Sequence, residues 1–162
     1  MSDIIGRYGI AVSHEDMAMV RQTLERETTR AAHNPHLLAT VYALAYQLLS
    51  VQKLAKAHRY FLLLAQWAPT NTTYLRALGR VQFLRGQSYE ALNTFSMCVA
   101  FGDVTPELGV CIAECHLALD QRAQAASVLY EVQDACTDIP EHGALLERVK
   151  AMVDLIVSGQ QQ

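Results

Sequence analysis

A chain of 162 residues, 51% of them apolar and with a formal net charge of -3, can bury a real core and is too apolar to stay disordered. Its 13 Lys and Arg form no basic block, which excludes nucleic acid as the main partner, because phosphate binding needs clustered cations. No apolar run approaches the roughly 20 residues that span a bilayer, and Met1 to Arg7 lack the basic-then-apolar layout of a secretory signal, so a cytoplasmic protein without stable membrane insertion is expected.

In chain order, Ser13-His-Glu-Asp16 suits an N-cap with an acid three residues on, and Met17, Val20 and Leu24 mark one face of the helix that follows. Asn34-Pro35 breaks that pattern. Residues 1–37 are therefore expected as an N-terminal helical cap. Two settings stay open for it: packing on the chain's own repeats, or joining a second copy in a homodimer.

From 38 to 137 the chain repeats itself. Ala45, Gly79 and Ala113 are small residues spaced 34 apart, each preceded by an apolar partner, Leu44, Leu78 or Ile112. Ala57, Ala91 and Ala125 form a second small column, and Phe61, Phe95 and Leu129 a bulky one. A 34-residue period with this pattern marks the tetratricopeptide repeat, two antiparallel helices per copy. In the first copy the helices are Leu38–Ser50 and Leu54–Gln66. Ala45 and Ala57 let their backbones approach, while Leu44, Leu48 and Phe61 fill the seam. Gln52, Gly86 and Asp120 occupy the three turns between paired helices. Pro69 stops the second helix of the first copy, Gly102-Asp103 replaces that signal after the second, and Pro106 opens the third.

Residues 138–162 are expected as a C-terminal capping helix and tail. Pro140 starts the helix, Leu145, Leu146, Val149, Met152, Val153 and Ile156 form one stripe, and Ser158-Gly159 ends it before a disordered Gln tail. Such a helix covers the open face of the last repeat. The fold class is thus all-α, three tandem tetratricopeptide hairpins between two helical caps.

In a stack of helical hairpins the first helix of each copy lines the concave side. Off its core stripe, the first copy offers Tyr42, Tyr46 and Leu49, the second Arg76, Arg80 and Phe83, and the third Val110, Glu114 and Leu117. These nine residues are the candidate peptide-binding groove, with aromatic and apolar members for proline and leucine side chains and charged ones as polar anchors. An aromatic ladder at this spacing also suits a buried seam, but the repeat already assigns the seam to other columns. Arg76 and Arg80 equally suit a solvated face.

No catalytic constellation is present. GxSxG, HExxH, P-loop and GxGxxG motifs are absent, and Glu25 and Glu27 sit on a solvated helix. Cys111 and Cys115 stand one turn apart, followed by His116, yet no further ligands lie at metal spacing. With Cys98 and Cys136 they are expected as free, inert thiols, and His33 and His36 as a polar linker. No cofactor and no metal are implied.

The copies also resemble a particular family. VYALAYQLLSVQKLAKAHRYFLLL is similar to the first repeat of the class II chaperones of bacterial type III secretion systems, ALGRVQFLRGQSYEAL to the second, and Ala113-Glu-Cys115 with Pro106 to the third. The resemblance covers about residues 38 to 137. It implies a chaperone that holds an extended N-terminal segment, often Pro-x-Leu-x-x-Pro, of hydrophobic translocator proteins in its concave groove, keeping them soluble and export-competent. The matching groove positions are Tyr42, Tyr46 and Leu49. Leu49 stands where an aromatic is common, Arg76 and Arg80 replace smaller or apolar residues, and the Gly-Gly-Thr-Leu type segment before the first repeat is missing. The competing function is a generic repeat adaptor that docks a charged C-terminal peptide. Arg76 and Arg80 suit a carboxylate, but Tyr42 and Tyr46 stand where such a clamp carries Lys and Asn.

Overall fold

The structure, a computed structural model, describes Gln22, Arg26 and residues 34–137 and 139–158. The expected N-terminal helix with Ser13, Asp16, Met17, Val20 and Leu24, its homodimer contact, and the Gln tail lie outside the described residues. By its contacts the chain divides into two units, Met1–Thr40 and Val41–Gln162, each taken by itself. Within the first, Asn34 starts helix α1 (Pro35–Ser50). The Asn34 side-chain oxygen accepts from the Leu37 amide at 3.1 Å, capping an otherwise unpaired donor, and Pro35 follows where no amide is needed.

The second unit carries α1 onward into α2 (Leu54–Trp67), α3 (Thr72–Leu84), α4 (Ser88–Ala100), α5 (Pro106–Ala118), α6 (Arg122–Cys136), a 3-10 turn at Pro140–His142 and α7 (Gly143–Ser158). No strand occurs among the described residues. From α2 on, each helix packs on its successor in the chain, and α3 also touches α5, so the hairpins stack in one direction.

The same device turns the chain inside each hairpin. Gln52, Gly86 and Asp120 have φ of 58°, 77° and 57°, the left-handed conformation that closes a helix. One residue later, the amides of Lys53, Gln87 and Gln121 donate back to Leu48, Gln82 and His116 carbonyls at 2.8, 2.9 and 2.8 Å. Gly102, at φ 89°, repeats the device between α4 and α5. Pro69 falls just beyond the end of α2, and Pro106 is the first residue of α5, as expected.

The small and bulky columns are buried: Ala45, Ala57, Ala91, Ala113 and Ala125, with Phe61, Phe95 and Leu129 beside them. Gly79 has a stricter reason to be small, since a Cβ there would stand 2.5 Å from the Phe95 ring. One core assignment is corrected. Leu44 was expected in the seam but is 41% exposed, while Leu78 at the equivalent position is buried. Helix α3 is packed by α2 of the preceding hairpin, whereas no hairpin precedes α1 among the described residues.

Helix α7 buries Val149, Val153 and Ile156 in one cluster with Ala113, Ala125, Leu129, Val132 and Cys136, with Leu145, Leu146 and Met152 packed beside it. It keeps part of the 34-residue register, since Pro140 stands 34 residues after Pro106 and Arg148 34 after Glu114, but the exposed Glu147 stands where Ala45, Gly79 and Ala113 are small and buried.

Candidate functional site

On the first-helix side of the array, a cleft of about 300 Å³ is lined by Tyr42, Tyr46, Thr72, Thr73, Arg76, Ala77, Arg80, Phe95, Asp103 and Cys111. Its lining comes from α1, α3 and α5, with Phe95 of α4 forming the floor and Asp103 reaching in from the α4–α5 turn.

One wall is aromatic. Tyr42 and Tyr46 are one turn apart on α1, with ring centroids 5.2 Å from each other. Both rest edge-on against the buried Phe61, at 5.9 and 6.0 Å, and Tyr42 also meets Tyr74 of α3 at 5.4 Å. The cluster therefore has a buried root and an open top. Tyr42 is half-buried while Tyr46 is 50% exposed. Burial, and then the neighbouring Tyr46 phenol, raise the Tyr42 hydroxyl above its ordinary pKa, so the Tyr42 phenol stays a neutral donor near pH 7.

The other wall is ionic. Arg76 pairs with Asp103 at 3.5 Å, and Arg80 pairs with Glu114 at 3.0 Å. The second Glu114 oxygen accepts from Arg148 of α7. Asp103 is steadied by Thr105, whose hydroxyl and amide donate to its other oxygen at 2.9 and 3.3 Å. Arg80 also lies over the Phe83 ring, 5.8 Å from its centroid.

Four of the nine candidate groove residues, Tyr42, Tyr46, Arg76 and Arg80, thus line one cleft. Glu114 and Phe83 join it by holding Arg80. Leu49 is half-buried and does not border the cleft. Val110 is corrected: it is 2% exposed and belongs to the core cluster that α7 completes, with Leu117 packed against that cluster. An isopropyl group at the position of Arg76 gains by sinking under the cap, whereas a guanidinium must stay at the surface. Tyr74, Asp103 and Arg148 were not anticipated. The 34-residue step from Glu114 pointed to Arg148; the other two depend on how turns and neighbouring helices fold back.

The thiols are chemically quiet. Burial, with Asp103 next, pushes Cys98 up to about 11, and burial, with Cys111 next, pushes Cys115 up to about 12. Cys111, at the cleft, is raised by burial and by Glu114 against the opposing pull of Arg80, Arg76 and Arg148. Among the described residues no group of three His, Cys, Asp or Glu side chains is placed to hold a metal ion, and no helix is long and apolar enough to cross a membrane.

No family model matches the chain. It is 28% identical to the low calcium response locus protein H of Yersinia pseudotuberculosis over 119 residues, covering 74% of this chain and 71% of that protein. The Yersinia enterocolitica type III secretion chaperone SycD, solved with a peptide of the translocator YopD, superposes with a TM-score of 0.72 at 25% identity, over 78% of this chain and 97% of that one. PcrH from Pseudomonas aeruginosa gives 0.70 at 26% identity, over 76% and 94%.

Proposed function

We propose that this chain, which by fold and by sequence groups with the type III secretion translocator chaperones, holds an extended N-terminal segment of a hydrophobic translocator protein in the cleft between α1, α3 and α5. The observation that carries this function is the aromatic cluster. Tyr46 stays half-exposed and Tyr42 half-buried on a rigid root at Phe61, so two ring faces are held ready for apolar side chains. Because SycD and PcrH share this fold, and SycD was solved with a translocator peptide, such a segment is the natural occupant. Covering it in the cytoplasm keeps the translocator soluble until export. The work is binding, not bond-making, and it asks nothing of the buried thiols.

Co-expression with the translocators of the same secretion system tests the function. The client should move from the insoluble fraction into a soluble complex, and deletion of its N-terminal segment should abolish that. A client that stays insoluble, or a charged C-terminal peptide that binds equally well, would overturn it.

A further inference from the structure

Both ion pairs of the cleft are built unevenly. The Asp103 and Glu114 side chains are 7% and 17% exposed, whereas Arg76, Arg80 and Arg148 are 38%, 44% and 54% exposed. The carboxylates lie beneath and the guanidinium groups face outward. Three cations share two anions here, and Glu114 divides its charge between Arg80 and Arg148. Arg80 donates one of its five N–H groups to Glu114 and Arg76 pairs with Asp103 at 3.5 Å, so each pair engages only part of a guanidinium group, and both residues line the cleft. Arg80 is further fixed by the Phe83 ring, so little of its conformational freedom remains to be lost on binding.

From this we infer that the cleft selects a client segment with an acidic side chain, placed to meet Arg76 and Arg80 while an apolar residue sits on Tyr42 and Tyr46. The inference rests on the peptide-binding function above and adds its charge specificity. Arg76 and Arg80 stand at the repeat positions of Tyr42 and Tyr46, one hairpin further along. Neighbouring helices lie about 10 Å apart, roughly three residues of extended chain. The acid therefore belongs about three residues from the apolar anchor.

The test uses synthetic Pro-x-Leu-x-x-Pro peptides that keep both prolines, each carrying a single Glu at one of the x positions or at a flanking position within five residues of the Leu, and twins with Gln instead. Anisotropy titrations should find a position near three residues from the Leu where the Glu peptide binds roughly fivefold more tightly than its twin. That preference should vanish in Arg76→Gln or Arg80→Gln, each confirmed as folded by circular dichroism, and shrink at about 0.5 M salt. Equal binding of Glu and Gln twins at every position overturns the inference while leaving the peptide cleft standing. So does a preference that survives both variants. Absence of binding by every peptide overturns the cleft function and the charge specificity together.

Discussion

Arg80 and Glu114 stand 34 residues apart in the chain and meet at 3.0 Å. They occupy one position of consecutive repeats, and stacking brings such positions side by side. The next step of 34 reaches Arg148, which holds the other Glu114 oxygen. One column thus alternates in sign and fastens the second hairpin, the third and the cap.

Replacing Glu114 by Gln removes the shared charge and leaves two arginines with weaker acceptors. A loss of about 1–2 kcal/mol is expected, because the carboxylate is largely covered and hydrogen-bonded on both oxygens. For a chain of this size that lowers the melting midpoint by roughly 3–6 °C. Glu147→Gln is the control. Its pair with Lys150 is a surface contact, so thermal melts should barely move. Equal shifts in both variants would remove the column's special role.

The columns were legible because every copy must solve the same problem. A position facing a close backbone has to be small in each repeat, hence Ala45, Gly79 and Ala113. A turn has to close each hairpin, hence Gln52, Gly86 and Asp120. Repetition also misleads, because neighbours change along an array. Leu44 and Leu78 share a column, yet only Leu78 is buried, since α1 opens the described array. Arg76 and Val110 share another, yet the cap draws only Val110 into the core. The Arg76–Asp103 pair follows no period, because Asp103 lies in a turn between helices, and such a contact needs three dimensions to be seen.

Gly79→Ala tests the tightest point of the second hairpin. The added methyl meets the Phe95 ring at 2.5 Å, and that ring is buried and cannot swing away. Overpacking costs about 1–3 kcal/mol, offset by about 1 kcal/mol of better helix propensity. Chemical denaturation should show a net loss of stability. A gain would mean that α3 and α4 slide apart freely.

Gln52→Gly should act in the opposite direction. Gln52 holds φ 58° where the equivalent turn in the next hairpin uses Gly86. Glycine relieves roughly 1 kcal/mol of left-handed strain, in part offset by its larger unfolded-state entropy. A melting midpoint raised by a degree or two is the expected readout, and a lowered one would show that the Gln52 side chain does more than turn the chain.

Cys98 and Cys115, pushed up to about 11 and about 12 from an ordinary thiol value of 9.0, bind their protons more tightly folded than unfolded. Their contribution to stability is therefore complete below pH 9 and is lost as pH rises through 11 to 12. Melting midpoints should fall across that alkaline window, and less steeply in Cys98→Ala. In native protein at pH 8, both thiols should react with a disulfide reagent far more slowly than in denaturant. Fast native labelling of Cys115 would contradict its burial.

Tyr46 and Phe61 touch, yet they should fail in different ways. Phe61 is wholly buried and is the root on which both tyrosines rest, so Phe61→Ala should cost about 3–5 kcal/mol of stability. Tyr46 presents half of its surface, so Tyr46→Ala should cost little in a melt and about 1–3 kcal/mol in binding, roughly ten- to a hundredfold in affinity for a translocator segment. Tyr42→Ala should do some of both, because its ring is shared between Tyr46, Tyr74 and Phe61. Gln47→Ala, at an exposed position on α1 that does not border the cleft, should do neither. Melts and peptide titrations on the four variants separate the roles. If Tyr46→Ala melts early and, once folded, binds as tightly as the parent, the open top of the cluster belongs to the protein's own packing and the client lies elsewhere.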